Sequence, residues 1–193
     1  MIGIIQQVLL ELLEEKGGDE LKQRVLKAAH VDPSINYRID KNYSDDECLR
    51  LIAASVEETG FTENEVYALY ASAFLKKAQA LFPRFFEIAD DSEGFLLRQA
   101  RIHAVMASGL KQQEERQHVN DKFSASPIEP GKVRVIYRSP NGLCRLYQAL
   151  AFEVASLYGD EIEFDEPCCM HMGAVHCEFI ITWPNKRQEV VHG

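Results

Sequence analysis

The chain's 193 residues, 46% of them hydrophobic, suffice for a full core in one domain or in one domain of two lobes. Its 30 acidic against 21 basic residues give a formal charge of -9, and no basic cluster interleaved with aromatics occurs, which argues against a nucleic-acid partner. No charge-free apolar run reaches the roughly 18 residues of a membrane span, and the start at Met1 to Ile5 lacks a basic flank, so no signal peptide and a cytoplasmic location are expected.

In chain order, Ile2 to Glu15 reads as an amphipathic helix with Ile5, Val8, Leu9, Leu12 and Leu13 on one face, stopped by Gly17-Gly18. Asp19 caps a second helix to Ala29, ended by the Asp32-Pro33 turn. Ser44 opens a third, which ends at Gly60, and Thr62 to Glu65 is a capping box for a fourth. Phe82-Pro83 breaks that helix. Asp90 to Glu93 then starts a helical run that carries Phe95 to Leu110. Lys111 to Asp121, with His118, reads as its solvated end and a loop.

Beyond this the period falls to two. Lys132 to Ser139 alternates as a strand, Pro140-Asn141-Gly142 turns into a helix from Leu143 to Tyr158, and Glu161 to Glu166 and His176 to Trp183 are further strands. A fourth strand is expected around Phe123 to Ile128, with Pro127 favouring a sheet edge. The residues after Trp183 read as a frayed tail. The predicted fold class is α+β, with a helical N-terminal lobe at about 1–60 packed on a C-terminal lobe of helices and a roughly four-stranded antiparallel sheet at about 61–185. A flexible tail at 186–193 completes the expected single domain.

Helical steps of three, four and seven from His103 reach Leu96, Ala100, Ala107 and Leu110, so His103 lies on the apolar face. Two readings follow. The ring is a core histidine satisfied by its neighbours, or, flanked by Ala100, Ala104 and Ala107, it leaves room for a flat metal-bearing macrocycle. Five cysteines without a secretory signal imply reduced thiols, metal ligation or redox sensing rather than structural disulfides.

The order of elements, the Met-x-Gly-Ile-Ile start and the inward His103 resemble the haem-nitric oxide/oxygen binding (H-NOX) domains over Met1 to Trp183. The resemblance implies that His103 ligates the iron of haem b. The family's propionate motif is Tyr-x-Ser-x-Arg; here Tyr137 and Ser139 match, and Asn141 stands in place of the arginine. Asparagine offers neither the charge nor the fork that suits two propionate oxygens. Arg138 is close in sequence, but strand alternation turns it from Tyr137. The family's distal oxygen donor, a tyrosine, maps to Leu146, which cannot donate. Ile5 would line the same side. Tyr147 is rotated about 100° from Leu146 and reads as packing.

Some bacterial H-NOX proteins carry a zinc-binding or oxidation-sensitive cysteine hairpin, and Cys144 with Cys169-Met170-His171-Met172-Gly173-Ala174-Val175-His176-Cys177 resembles it. The resemblance implies zinc on Cys144, Cys169 and Cys177, with a fourth ligand from Cys168, His171 or His176. Cys48, on a helix of the first lobe, reads as packing.

The implied function is a haem-based nitric oxide sensor that also takes carbon monoxide, signalling to a separate histidine kinase or cyclic-di-GMP enzyme. The alternative is a haem-free or haem-optional thiol/zinc redox sensor. An enzyme is not expected, because the chain shows no nucleophile-base spacing, phosphate loop or catalytic carboxylate pair.

Overall fold

The computed structural model describes residues 1–108 and 122–186, with no side-chain description for residues 106–108. The predicted Lys111–Asp121 loop with His118, Leu110 of the His103 face, and residues 187–193 of the expected tail lie outside the described residues. The chain divides into two compact units, Met1–Ala78 and Gln79–Gly193, a boundary later than the expected one near residue 60. No helix among the described residues is long and apolar enough to cross a membrane.

In the first unit, α1 (Ile4–Ala28) packs on α2 (Asp45–Thr59). Its two segments are separated at Gly17-Gly18, where Gly18 takes φ +68, a conformation open to glycine without a Cβ clash. The apolar stripe Ile4, Val8, Leu12, Val25 and Leu26 is buried with Cys48 and Leu51. Ser44 caps α2, its hydroxyl accepting the Glu47 N–H, and Gly60 ends it at φ +72. α3 (Glu63–Leu81) opens on the predicted reciprocal box, in which Thr62 Oγ1 accepts the Glu65 N–H and Glu65 accepts the Thr62 N–H.

The second unit holds α4 (Pro83–Glu87), α5 (Ser92–Leu97), α6 (Gln99–Ser108), β1 (Phe123–Glu129), β2 (Lys132–Tyr137), α7 (Cys144–Tyr158), β3 (Glu163–Cys168) and β4 (Cys177–Thr182). The strands form an antiparallel sheet in the order β1-β2-β4-β3. β1 is an edge, and a register irregularity follows Pro127, as a residue lacking an N–H demands. Val133, Val135, Tyr137, Cys177, Phe179 and Ile181 are buried on one face. Against them lies α7, through Tyr147, whose ring stacks on Phe179 at 4.8 Å and 10°.

Two expectations are corrected here. The Phe95–Leu110 run is not one helix: at Arg98 the backbone leaves the α-helical pattern, its N–H bonding back three residues to Phe95, and α5 gives way to α6. Leu96 is therefore buried in α5, apart from the His103 helix. Nor is the chain frayed directly after Trp183. Residues 184–186 form a helical turn whose Lys186 Nζ reaches Asp91 at 2.7 Å and Glu93 at 3.1 Å.

Asp91 also caps α5 by accepting the Gly94 N–H at 2.7 Å. Burial pushes its pKa up, but Lys186 and the Gly94 N–H outweigh this and leave it below the ordinary 3.8. A carboxylate with a depressed folded pKa contributes stability that is present above the ordinary value and lost as pH falls through the lower, folded one. Asp91→Ala is expected to cost about 1–2 kcal/mol at neutral pH, mostly from the cap. Urea titrations should show the gap to wild type narrowing as pH drops below about 4.

Candidate functional site

His103 lies one turn into α6, which packs on β1. Its ring sits 4.9 Å from that of Phe123, and Phe123 in turn stacks on Tyr137 at 4.9 Å and lies 5.3 Å from Tyr147. The side chain keeps some surface, but it is crowded enough that burial pushes its pKa down to about 4, with the Lys122 charge adding to the effect. At neutral pH the imidazole is uncharged and keeps a nitrogen lone pair, the form in which histidine ligates a metal. Ala100 and Ala104 are half-buried beside it.

Tyr137 and Ser139 are both buried, at 4% and 2% exposure. The Tyr137 hydroxyl accepts the Leu143 N–H at 3.3 Å and also a hydrogen bond from the Ser139 side chain, while Ser139 Oγ accepts the Asn141 N–H at 3.4 Å, so the pair is already linked and the Tyr137 hydroxyl proton is the one left for an anionic acceptor. Arg138 is exposed and reaches Ser124 Oγ at 3.5 Å, consistent with the strand alternation. This donor set, one neutral imidazole and two buried hydroxyls beside one aromatic cluster, fits a haem: the imidazole could ligate its iron, and the hydroxyls could face its carboxylates without the guanidinium of the family motif.

Leu146 is buried in the first turn of α7, and the Tyr147 hydroxyl donates to Gln99 Oε1 at 3.1 Å. Ile5 belongs to the first unit, half-buried on α1, its carbonyl accepting the Tyr70 hydroxyl at 3.1 Å.

Directly across the sheet from Tyr137 is Cys177. Its sulfur lies 3.9 Å from Cys169 Sγ, which lies 3.8 Å from Cys144 Sγ at the start of α7. Among the described residues, Cys144, Cys169, Cys177 and Glu166 place ligand atoms within 4.8 Å of one another. Cys168, His171 and His176 stand outside that group. His171 Nε2 lies 2.7 Å from the Gly142 carbonyl, which can only accept, so that nitrogen carries the proton. The ring covers Gly142, where φ is +61 and an added Cβ would come within 2.9 Å of it.

Burial, then the Glu166 charge, pushes the Cys144 thiol far above its ordinary range. Cys177 is pushed up to about 11 by burial, the Met170 N–H pulling the other way. Four such groups at contact repel one another when ionised, and a bound divalent cation inverts that balance. Sequence reasoning missed Glu166, although Ile162, Phe164 and Glu166 alternate onto one strand face.

The family profile described as haem-NO-binding matches residues 2–166. No curated protein sequence matches. Among solved structures, a triple mutant of an H-NOX protein from S. oneidensis in the Fe(II) state aligns with TM-score 0.81 at 19% identity, covering 96% of this chain and 97% of that one. The I5F mutant of T. tengcongensis H-NOX aligns with TM-score 0.80 at 19% identity, covering 96% and 99%. At such identities the likeness speaks for the fold, while the profile spans most of the sequence. The chain thus belongs to the haem-NO-binding, or H-NOX, family of haem-based gas sensors.

Proposed function

We propose that this chain is a haem-based nitric oxide sensor, with His103 as the iron ligand and with Tyr137 and Ser139 holding the propionate end. The observation that carries the reading is the continuous aromatic contact from His103 through Phe123 to Tyr137, which gathers the motif residues into one cluster. When bound, the haem supplies the iron that takes up a diatomic gas. His103 would hold that iron from α6, which packs on β1, so a change in its hold would be passed to α6 and through it to the second unit. The chain carries out no catalytic step of its own in this reading. The listener is a separate signalling protein, a histidine kinase or a cyclic-di-GMP enzyme, and the setting is the cytoplasm.

Discrimination between gases comes from donors near the iron. An oxygen ligand would call for a hydrogen-bond donor from the protein, whereas nitric oxide would not. Leu146 has no donor, and the Tyr147 hydroxyl proton is given to Gln99. The reduced, haem-loaded protein is expected to bind nitric oxide and carbon monoxide and to form no stable oxygen complex in air. Absorption spectra under each gas check this. A protein that takes up no haem would sink the sensor reading, and a persistent oxy spectrum would show that a donor reaches the ligand.

A second reading is favoured by the cluster of Cys144, Cys169, Cys177 and Glu166. It is a zinc centre that oxidation dismantles, making the chain a thiol sensor with or without haem. Cys169, within 4 Å of both other sulfurs, is the thiol placed to pair with either.

A further inference from the structure

We propose that Glu166 is the fourth protein ligand of the zinc site, giving three thiolates and one carboxylate. The inference rests on the reading of the cysteines as a zinc centre and names the residue that completes it.

The spacing suits such a set. Zinc-sulfur bonds of about 2.3 Å at tetrahedral angles put the sulfurs about 3.8 Å apart, and the Cys144–Cys169 and Cys169–Cys177 separations are 3.8 and 3.9 Å. The Glu166 carboxylate shares their 4.8 Å envelope. Its Oε1 is buried without a hydrogen-bond partner in the structure, a costly state for a carboxylate oxygen unless a cation faces it.

The backbone shows how an acid arrives there. The β3–β4 register passes from Asp165 opposite Ile180 to Cys168 opposite Glu178, three residues of one strand against two of the other. This bulge encloses Glu166 and Pro167. Pro167 has no N–H to forfeit, so the ladder is interrupted where a donor is already missing. Glu166 shares the half-buried face of β3 with Phe164, while Asp165 and Pro167 are exposed. The rival ligands are less well placed: the His171 Nε2 proton is given to the Gly142 carbonyl, and Cys168 and His176 are outside the cluster.

A carboxylate is a harder donor than thiolate or imidazole, so the set should hold zinc less tightly than a four-sulfur site. The test uses the full chain purified reduced, with zinc measured by elemental analysis, zinc affinity by competition with a chromophoric chelator, and donor type by the cobalt(II) spectrum. Wild type is expected to hold about one zinc. Glu166→Gln should weaken zinc binding at least tenfold and shift the cobalt ligand-field bands. Glu166→Cys should restore binding and add thiolate-to-cobalt charge-transfer intensity, which separates a lost ligand from a lost fold. Cys168→Ser, His171→Ala and His176→Ala should keep wild-type affinity. Should Glu166→Gln bind zinc as wild type does, or His171→Ala or His176→Ala lose it in its stead, Glu166 is not the ligand and the zinc reading stands. Reduced wild-type protein without zinc overturns both.

Discussion

His103→Gly should lose stable haem binding and regain it with added imidazole. His103 is the imidazole that α6 sets against Phe123, and through it beside Tyr137; removing it leaves only hydroxyls there, which are no substitute for an imidazole as an iron ligand. The expected loss is at least tenfold in retention, about 1.4 kcal/mol or more, read as loss of the Soret band in competition with apomyoglobin. Glycine within a helix also costs about 1 kcal/mol relative to alanine, so His103→Ala is the companion, with far-UV circular dichroism recorded for both. A variant that keeps a wild-type Soret band without imidazole would remove His103 from the site.

The largest loss of stability is expected from Phe179→Ala, about 3–5 kcal/mol by urea unfolding. Phe179 is fully buried, stacks on Tyr147, lies 5.1 Å from Phe164 and pairs with Val135 across the sheet. Removing its ring opens a hole between α7 and three strands, at a position two residues from Cys177 on the same face. Against a total of roughly 5–15 kcal/mol for a domain, that is a large share. Phe152→Ala is the contrast: the residue is 44% exposed and its loss should cost about 1 kcal/mol or less. Equal losses would mean that the core lies elsewhere.

Much of this arrangement could be read from the residues, because its signals are local. The Gly17-Gly18 break, the Ser44 cap, the Thr62–Glu65 box and the strand periods all act within a few residues, and each stands where expected. Three of the four clustered ligand groups were legible as cysteines. What escaped depends on distant groups. The change of helix at Arg98 has no glycine or proline at that residue to announce it. Lys186 docks because Asp91 and Glu93, far away in sequence, wait at the start of α5. Glu166 was hidden because an acid on a strand reads as solvated. Its neighbours Ile162 and Phe164 gave its face, but the bulge that keeps it beside the sulfurs depends on pairing with β4.

The turn from Ser139 to Leu143 ties Tyr137 to Cys144. At one end the Tyr137 hydroxyl grips the Leu143 N–H; at the other, Cys144 begins α7, its thiol 3.7 Å from the Gly142 carbonyl. Between them the Gly142 N–H bonds to the Ser139 carbonyl at 3.2 Å, and the His171 ring lies over Gly142 like a clamp. So many contacts over five residues leave little slack, and a displacement of Tyr137 is expected to reach Cys144 as through a short rod.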